Sequence, residues 1–252
     1  MTGPLRSDCA HGVLALTLDR PDQRNALSTE LIEALHAAME AAELDPGARV
    51  VTITGAGRDF CAGADLAELL ASADRSLDEN QAGALRLGEL FLRMRRLPKP
   101  VLALVRGHAL AGGCGLTTAC DLVLAAESAR FGYPEIQRGF VPAMVLALLR
   151  RHVGERVAFE LAGTGRILSA AEARDLGLVT RMVPDDRFDL EAAELAGRLA
   201  AGSATALALT KQLLYELDGR ALEEGIRLGA RVNAVARATP DFREQVARFL
   251  QR

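Results

Sequence analysis

Val101-Leu102-Ala103-Leu104-Val105-Arg106-Gly107-His108-Ala109-Leu110-Ala111-Gly112-Gly113-Cys114-Gly115 is the stretch that decides the fold. Its first five residues are an unbroken apolar run, the pattern of a strand buried on both faces. Gly107 ends the run, and small residues then lead into a short helix reaching Cys120-Asp121. A strand feeding a helix through a Gly-rich turn is the unit of an α/β fold.

The same alternation extends outward. Val13–Leu18, Val50–Thr54 and Leu122–Ala125 read as strands. Ser28 to Glu43 reads as a helix, because Leu31, Ile32, Leu35, Met39 and Ala42 repeat at helical spacing and Ser28 can cap it. Leu85 to Leu97 is helical by the spacing of Leu87, Leu90, Phe91 and Met94, and Pro98-Lys99-Pro100 stops it. Residues 71–83, small and polar, predict a mobile loop. From Pro142 onward the strand signal fades, and 154–162, 169–176, 190–201, 205–217, 221–238 and 241–250 read as helices. The expected organisation is an α/β core over residues 1–190 and a helical region over 191–252.

Composition narrows the function. The 252 residues carry a net charge of −3, and half are apolar. No basic face is evident, so nucleic acid is not an expected partner. No apolar run approaches the roughly 20 residues that cross a bilayer, and Met1 to Gly12 lacks the pattern of a signal peptide. Four cysteines at irregular spacing (Cys9, Cys61, Cys114, Cys120) fit neither a zinc site nor a disulfide scaffold. The expectation is a reduced, cytoplasmic protein with no metal.

Three places can carry chemistry. The turn at 107–115 exposes unpaired N–H groups at the positive end of a helix, suited to an anion or a developing oxyanion. It is not a phosphate loop, because no Gly-Lys-Ser/Thr follows, and its glycine spacing fails the dinucleotide fingerprint. It reads equally as close helix–strand packing. Phe60-Cys61-Ala62-Gly63-Ala64-Asp65-Leu66 is a second small-residue turn after a strand, in which Asp65 and Glu68 are spaced like a helix-capping pair. The third is Phe131-Gly132-Tyr133-Pro134-Glu135-Ile136. Pro134 keeps Tyr133 out of helical geometry, and a carboxyl beside Ile136 can serve as a general acid or base. A solvated loop glutamate is the competing reading. The histidines (His11, His36, His108, His152) are scattered, and Cys61 and Cys114 read as small buried residues rather than nucleophiles.

Together these motifs resemble the enoyl-CoA hydratase/isomerase (crotonase) family. Arg20-Pro21 with Asn25-Ala26-Leu27-Ser28 is similar to its early element. The 60–66 and 109–114 turns are similar to its two oxyanion-hole turns, and Pro134-Glu135-Ile136 with Gly139 and Pro142 to its catalytic-glutamate segment. The resemblance runs over nearly the whole chain. It implies an α/β fold, a crotonase-like spiral of ββα units with a helical C-terminal trimerisation region, in a homotrimer or homohexamer. It implies oxyanion-hole amides at Ala64 and Gly112, a catalytic carboxylate at Glu135, and a CoA site lined by Arg24, Ala26, Leu27, Ala62, Gly63, Asp65 and Leu66. The substrate would be an acyl-CoA thioester of fatty acid metabolism such as β-oxidation. No cofactor is required, coenzyme A being part of the substrate.

One position departs from the two-glutamate hydratases of the family. The residue after the Gly-Gly-Cys run is Gly115 where they carry a first glutamate. Hydration of a trans-2-enoyl-CoA is the leading expectation. Shifting a 3-enoyl-CoA double bond to the 2-position with one glutamate is the alternative, and Tyr133 is near enough in sequence to hold a water or substrate. A serine peptidase of the related Clp-type fold would need a serine near Gly112–Gly115, which offers none. A non-catalytic CoA-binding or scaffold role is the remaining reading.

Overall fold

The structure, a computed structural model, describes residues 3–251. Met1, Thr2 and Arg252, at the outer ends of the expected 1–190 and 191–252 regions, lie outside it. Nine strands are described: β1 (Leu5–Ala10), β2 (Val13–Leu18), β3 (Val50–Gly55), β4 (Val101–Val105), β5 (His108–Leu110), β6 (Leu122–Ala126), β7 (Arg130–Gly132), β8 (Ile167–Ser169) and β9 (Arg181–Val183). Six form a main sheet in the order β1-β2-β3-β4-β6-β9, antiparallel at β1/β2 and parallel thereafter. Three short strands form a second sheet, β5-β7-β8.

Eleven α-helices accompany them: α1 (Thr29–Leu44), α2 (Leu66–Ala71), α3 (Leu77–Arg96), α4 (Gly112–Ala119), α5 (Ala143–His152), α6 (Glu155–Thr164), α7 (Ala170–Asp175), α8 (Phe188–Ala201), α9 (Ala204–Glu216), α10 (Leu222–Ala238) and α11 (Pro240–Leu250). A main-sheet strand, a short strand beneath it and one or more helices recur in sequence: β4, β5 and α4, then β6, β7 and α5. That repetition is the ββα spiral the resemblance implies.

Burial explains the apolar runs. In β4, Val101, Ala103 and Val105 face a core shared with α1 and α3, through Leu31, Leu35, Leu90 and Met94. Leu102 faces the other way, with Leu124 and Val183, against Phe188, Ala192 and Ala196 of α8. With helices on both faces, the central strands show no polar alternation. Ser28 caps α1 as expected, its Oγ accepting from the Leu31 amide at 3.2 Å.

Two expectations are corrected. Residues 71–83 are not a loop: α2 ends at Ala71 and α3 already begins at Leu77. Ser76 and Glu79 form a reciprocal capping box at its start, the Ser76 amide donating to Glu79 at 2.9 Å. Strands also persist beyond Pro142, as β8 and β9, each three residues long and too short to show a period of two.

Candidate active site

Three short pairings bring the predicted segments together. Leu27 bridges Ala64 and Cys61 bridges Ala109, while Leu110 lies opposite Gly132 in β5/β7. At the first bridge, Leu27 N–H donates to Gly63 O at 2.8 Å and Asp65 N–H donates to Leu27 O at 3.1 Å. In a parallel bridge of this kind the amide of the middle residue, Ala64, points away from its partner. Gly63 sits at φ 104°, and a Cβ there would lie 2.6 Å from the Ala111 Cβ, so only glycine fits.

Ala111 carries the chain into α4 in a conformation rare for a residue with a side chain, φ 51° and ψ −126°. Its amide donates to Gly132 O at 2.8 Å. Gly112 is then the first residue of α4, whose N–H has no intrahelical acceptor. Among the described residues no backbone carbonyl accepts from the amide of Ala64 or Gly112. The two are close: a Cβ on Gly112 would lie 3.9 Å from the Ala64 nitrogen. Two uncommitted donors thus lie close together, one of them at the positive end of α4.

Glu135 enters from the paired strand, three residues beyond Gly132. Pro134 holds Tyr133 at φ −124°, ψ 69° and opens a 3-10 helix, Pro134–Arg138. Phe140 N–H donates to Glu135 O at 3.1 Å, and Gln137 Nε2 donates to Gly165 O at 3.2 Å, fixing that helix. Glu135 is 8% exposed and its Oε2 has no hydrogen-bond partner. Burial pushes its pKa up, opposed in part by its own amide and by Arg138. A carboxyl whose charged form is disfavoured in this way is suited to act as a general acid or base.

Leu27 and Ala26 are buried, and Leu27 Cδ1 would lie 3.2 Å from a Cβ on Gly112, forming a wall beside the amides. Ala62 is half-buried, Gly63 buried, and Leu66 exposed. Asp65 caps α2, accepting from Ala67 and Glu68 amides, and pairs with Arg20 at 2.8 Å. Glu68 does not reciprocate the cap; its carboxylate accepts instead from Thr29 N and Oγ1, both at 2.8 Å. The Arg24 guanidinium is engaged by Asp59 at 2.7 Å.

Asp59 was missed by the sequence reading. Its side chain is 2% exposed and also accepts from His108 Nδ1 at 2.6 Å and the His108 amide at 3.1 Å. Burial opposes its ionisation, but the hydrogen bonds from Arg24 and His108 outweigh it and hold the carboxyl well below the usual range. Asp59 therefore ties the 24–28 segment to the start of β5. Nothing in its sequence neighbourhood signals this. Asp121, just past the end of α4, accepts from the Val101 amide at 2.7 Å and pairs with the buried Lys211 at 2.8 Å, fastening α9 to the core. Cys61 and Cys114 are fully buried, and burial pushes their thiols up to about 12 and about 11, so they are inert packing residues.

Gly115 lies on the second turn's helix with no room for a side chain. A Cβ there would lie 2.0 Å from Val145 Cγ1 and 3.2 Å from the Phe91 ring.

Comparison with known proteins gives concordant results. Residues 8–252 match the sequence profile of the enoyl-CoA hydratase/isomerase family. A protein of Thermus thermophilus named "Putative enoyl-CoA hydratase" is 45% identical over 240 residues, 95% of each chain. The 2,3-dehydroadipyl-CoA hydratase of Escherichia coli is 38% identical over 241 residues, 95% of this chain and 92% of its own. The crystal structure of an enoyl-CoA hydratase from Mycobacterium smegmatis is similar at TM-score 0.95 and 34% identity, over 99% of this chain and 97% of that one. Human enoyl coenzyme A hydratase domain-containing protein 3 is similar at TM-score 0.94 and 27% identity, over 98% and 97%.

Proposed function

Because the chain belongs to the enoyl-CoA hydratase/isomerase family and has the α/β crotonase fold, we propose that it hydrates a trans-2-enoyl-CoA to the 3-hydroxyacyl-CoA. It is an enzyme of the hydratase or isomerase type acting on an acyl-CoA. What supports the finer reading is a pair of uncommitted amides close to one another, Ala64 and Gly112, together with the buried, unpartnered carboxyl of Glu135. As water adds at C3, the thioester oxygen becomes an enolate oxyanion, and the two N–H groups donate to it. Losing one such donor typically costs ~10²–10³ in rate. Glu135 takes the proton from water and returns one to C2. The walls near the thioester are Ala26, Leu27, Ala62 and Gly63, with Arg24, Asp65 and Leu66 at the outer CoA side. No cofactor enters this chemistry.

A second reading is favoured by one observation, the absence of space at Gly115 for a second carboxylate. In double-bond isomerisation Glu135 alone would carry a proton between C4 and C2 over the same enolate. Assays on short 2-enoyl-CoA and 3-enoyl-CoA esters, with products identified by mass, test both. A 3-hydroxyacyl-CoA from the first ester supports hydration; the 2-enoyl ester alone from the second supports isomerisation. Turnover of neither removes both. Among the described residues no helix is long and apolar enough to cross a membrane. We place the enzyme in the cytoplasm, in fatty acid metabolism such as β-oxidation, as a trimer or a pair of trimers joined through its C-terminal helices.

A further inference from the structure

We infer that the Tyr133 hydroxyl is the second polar group of this site, holding the water that Glu135 activates where a second carboxylate cannot be accommodated. The inference rests on the hydration reading above. Among the described residues, three buried side-chain polar atoms have no hydrogen-bond partner: Arg49 Nε, Tyr133 Oη and Glu135 Oε2. Two of the three stand on either side of Pro134.

An unpartnered phenol in a dry interior costs folding free energy, and phenylalanine would fill the same space without that cost. The Tyr133 ring is fully buried, so solvent does not compensate. Cys114 and Thr118, one turn apart on α4, approach the hydroxyl, and Glu135 is close enough for its charge to act on it. These two α4 residues bracket Gly115, where the helix presents no side chain. The Thr118 hydroxyl is already committed, donating to Gly115 O at 2.9 Å. The Tyr133 hydroxyl and, two residues on, Glu135 Oε2 are thus the two buried polar atoms of this segment left without a hydrogen-bond partner. Burial, Cys114 and the Glu135 charge all keep the phenol protonated.

The bound water gives one hydrogen to Glu135 and directs the other to the phenol oxygen, which aims a lone pair at C3. The O–C3 bond forms as the C2=C3 π pair moves toward C1, and the thioester oxygen takes the charge beside the Ala64 and Gly112 amides. Glu135 then delivers its proton to C2, the carbonyl reforms and the carboxylate is restored. Tyr133 keeps its proton throughout.

The test compares wild type, Tyr133→Phe and Glu135→Gln on a short 2-enoyl-CoA. For Tyr133→Phe, kcat should fall about 10–100-fold, the loss of one or two hydrogen bonds to the reacting water. KM should stay within about twofold, and the acid limb of the pH profile should remain. The thermal midpoint should hold or rise, because an orphaned hydroxyl has been removed. A kcat within twofold of wild type overturns the inference. So does a lower midpoint together with lower kcat, which marks a structural hydroxyl. If wild type hydrates, Glu135→Gln is inactive and Tyr133→Phe is fully active, the tyrosine inference alone fails. A wild type without hydratase activity overturns the hydration reading and this inference together.

Discussion

Val145 occupies the space that a side chain on Gly115 would need: a Cβ at Gly115 would lie 2.0 Å from Val145 Cγ1. Both residues are buried, on α4 and α5, and Phe91 of α3 closes the third side. The position is thus built as apolar packing. Gly115→Glu should therefore not install a second acid. It forces overpacking, typically about 1–3 kcal/mol, and buries a carboxyl among apolar groups besides. The expected outcome is a clearly lower thermal midpoint with no gain in hydratase kcat. A stable variant with a raised kcat would show that α5 yields and that a missing carboxylate had limited the rate.

Glu135→Gln should lose ~10²–10⁴ in turnover while still binding CoA esters, because the amide keeps the shape and leaves Ala64 and Gly112 untouched. The pH dependence has a definite sign. Burial raises the Glu135 pKa above 4.5, so the basic form, and the rate, should fall away on an acid limb displaced above the ordinary carboxylate range. The same shift means the folded state binds a proton where the unfolded chain does not. Stability then falls as pH rises through that window. Glu135→Gln should consequently melt at or above the wild-type temperature at neutral pH. Equal turnover across the pH profile would remove Glu135 from the chemistry.

How much of this was legible depended on whether a residue's role is local. The Ser28 cap, the helical repeat of Leu31, Leu35 and Met39, and the runs of β2, β3, β4 and β6 are local patterns, and they stand where the sequence puts them. The Gly-rich turns were readable for the same reason. The Ser76–Glu79 capping box was also present in the sequence, but polar residues around it masked a helix whose buried positions begin only at Leu87. β1 is an exposed edge strand without apolar alternation to read. Asp59 and Tyr133 belong to another class. Their importance lies in what folding places around them, Arg24 and His108 for one, Cys114 and Glu135 for the other. Tyr133 could be read as a neighbour of Glu135 from sequence, but no spacing within the chain encodes its approach to Cys114 or the contacts of Asp59.

Asp59→Asn tests the fastening of the first turn. Its carboxyl is held below the ordinary range by Arg24 and His108. The ionic contribution is therefore present above the unfolded pKa, near 3.8, and is lost as pH falls through the lower folded value. Arg24 is half exposed, so the discounted cost of the amide variant at neutral pH is about 1–3 kcal/mol. That corresponds to a midpoint lower by several degrees for a chain of this size. The difference from wild type should shrink in acid, where both side chains are neutral. A gap independent of pH would assign the effect to packing.

The C-terminal helices carry the last prediction. α10 and α11 have no buried residue, and they present Leu222, Ile226, Val235, Phe242, Val246 and Phe249 to solvent in the single chain. Large apolar side chains exposed in this number on two consecutive helices call for a covering surface. Rings close when one patch meets a different patch on the next copy, and three such contacts make a trimer. Light scattering at micromolar concentration should give three or six times the chain mass. Ile226 is 64% exposed in the lone chain, so Ile226→Asp has little to disrupt in an isolated fold. If α10 lies at a subunit contact, the charge must be desolvated on assembly, and the variant should shift toward smaller species while keeping its helical signal. A wild-type monomer would refute the assembly. An Ile226→Asp variant with unchanged mass and midpoint would move the contact off this face of α10.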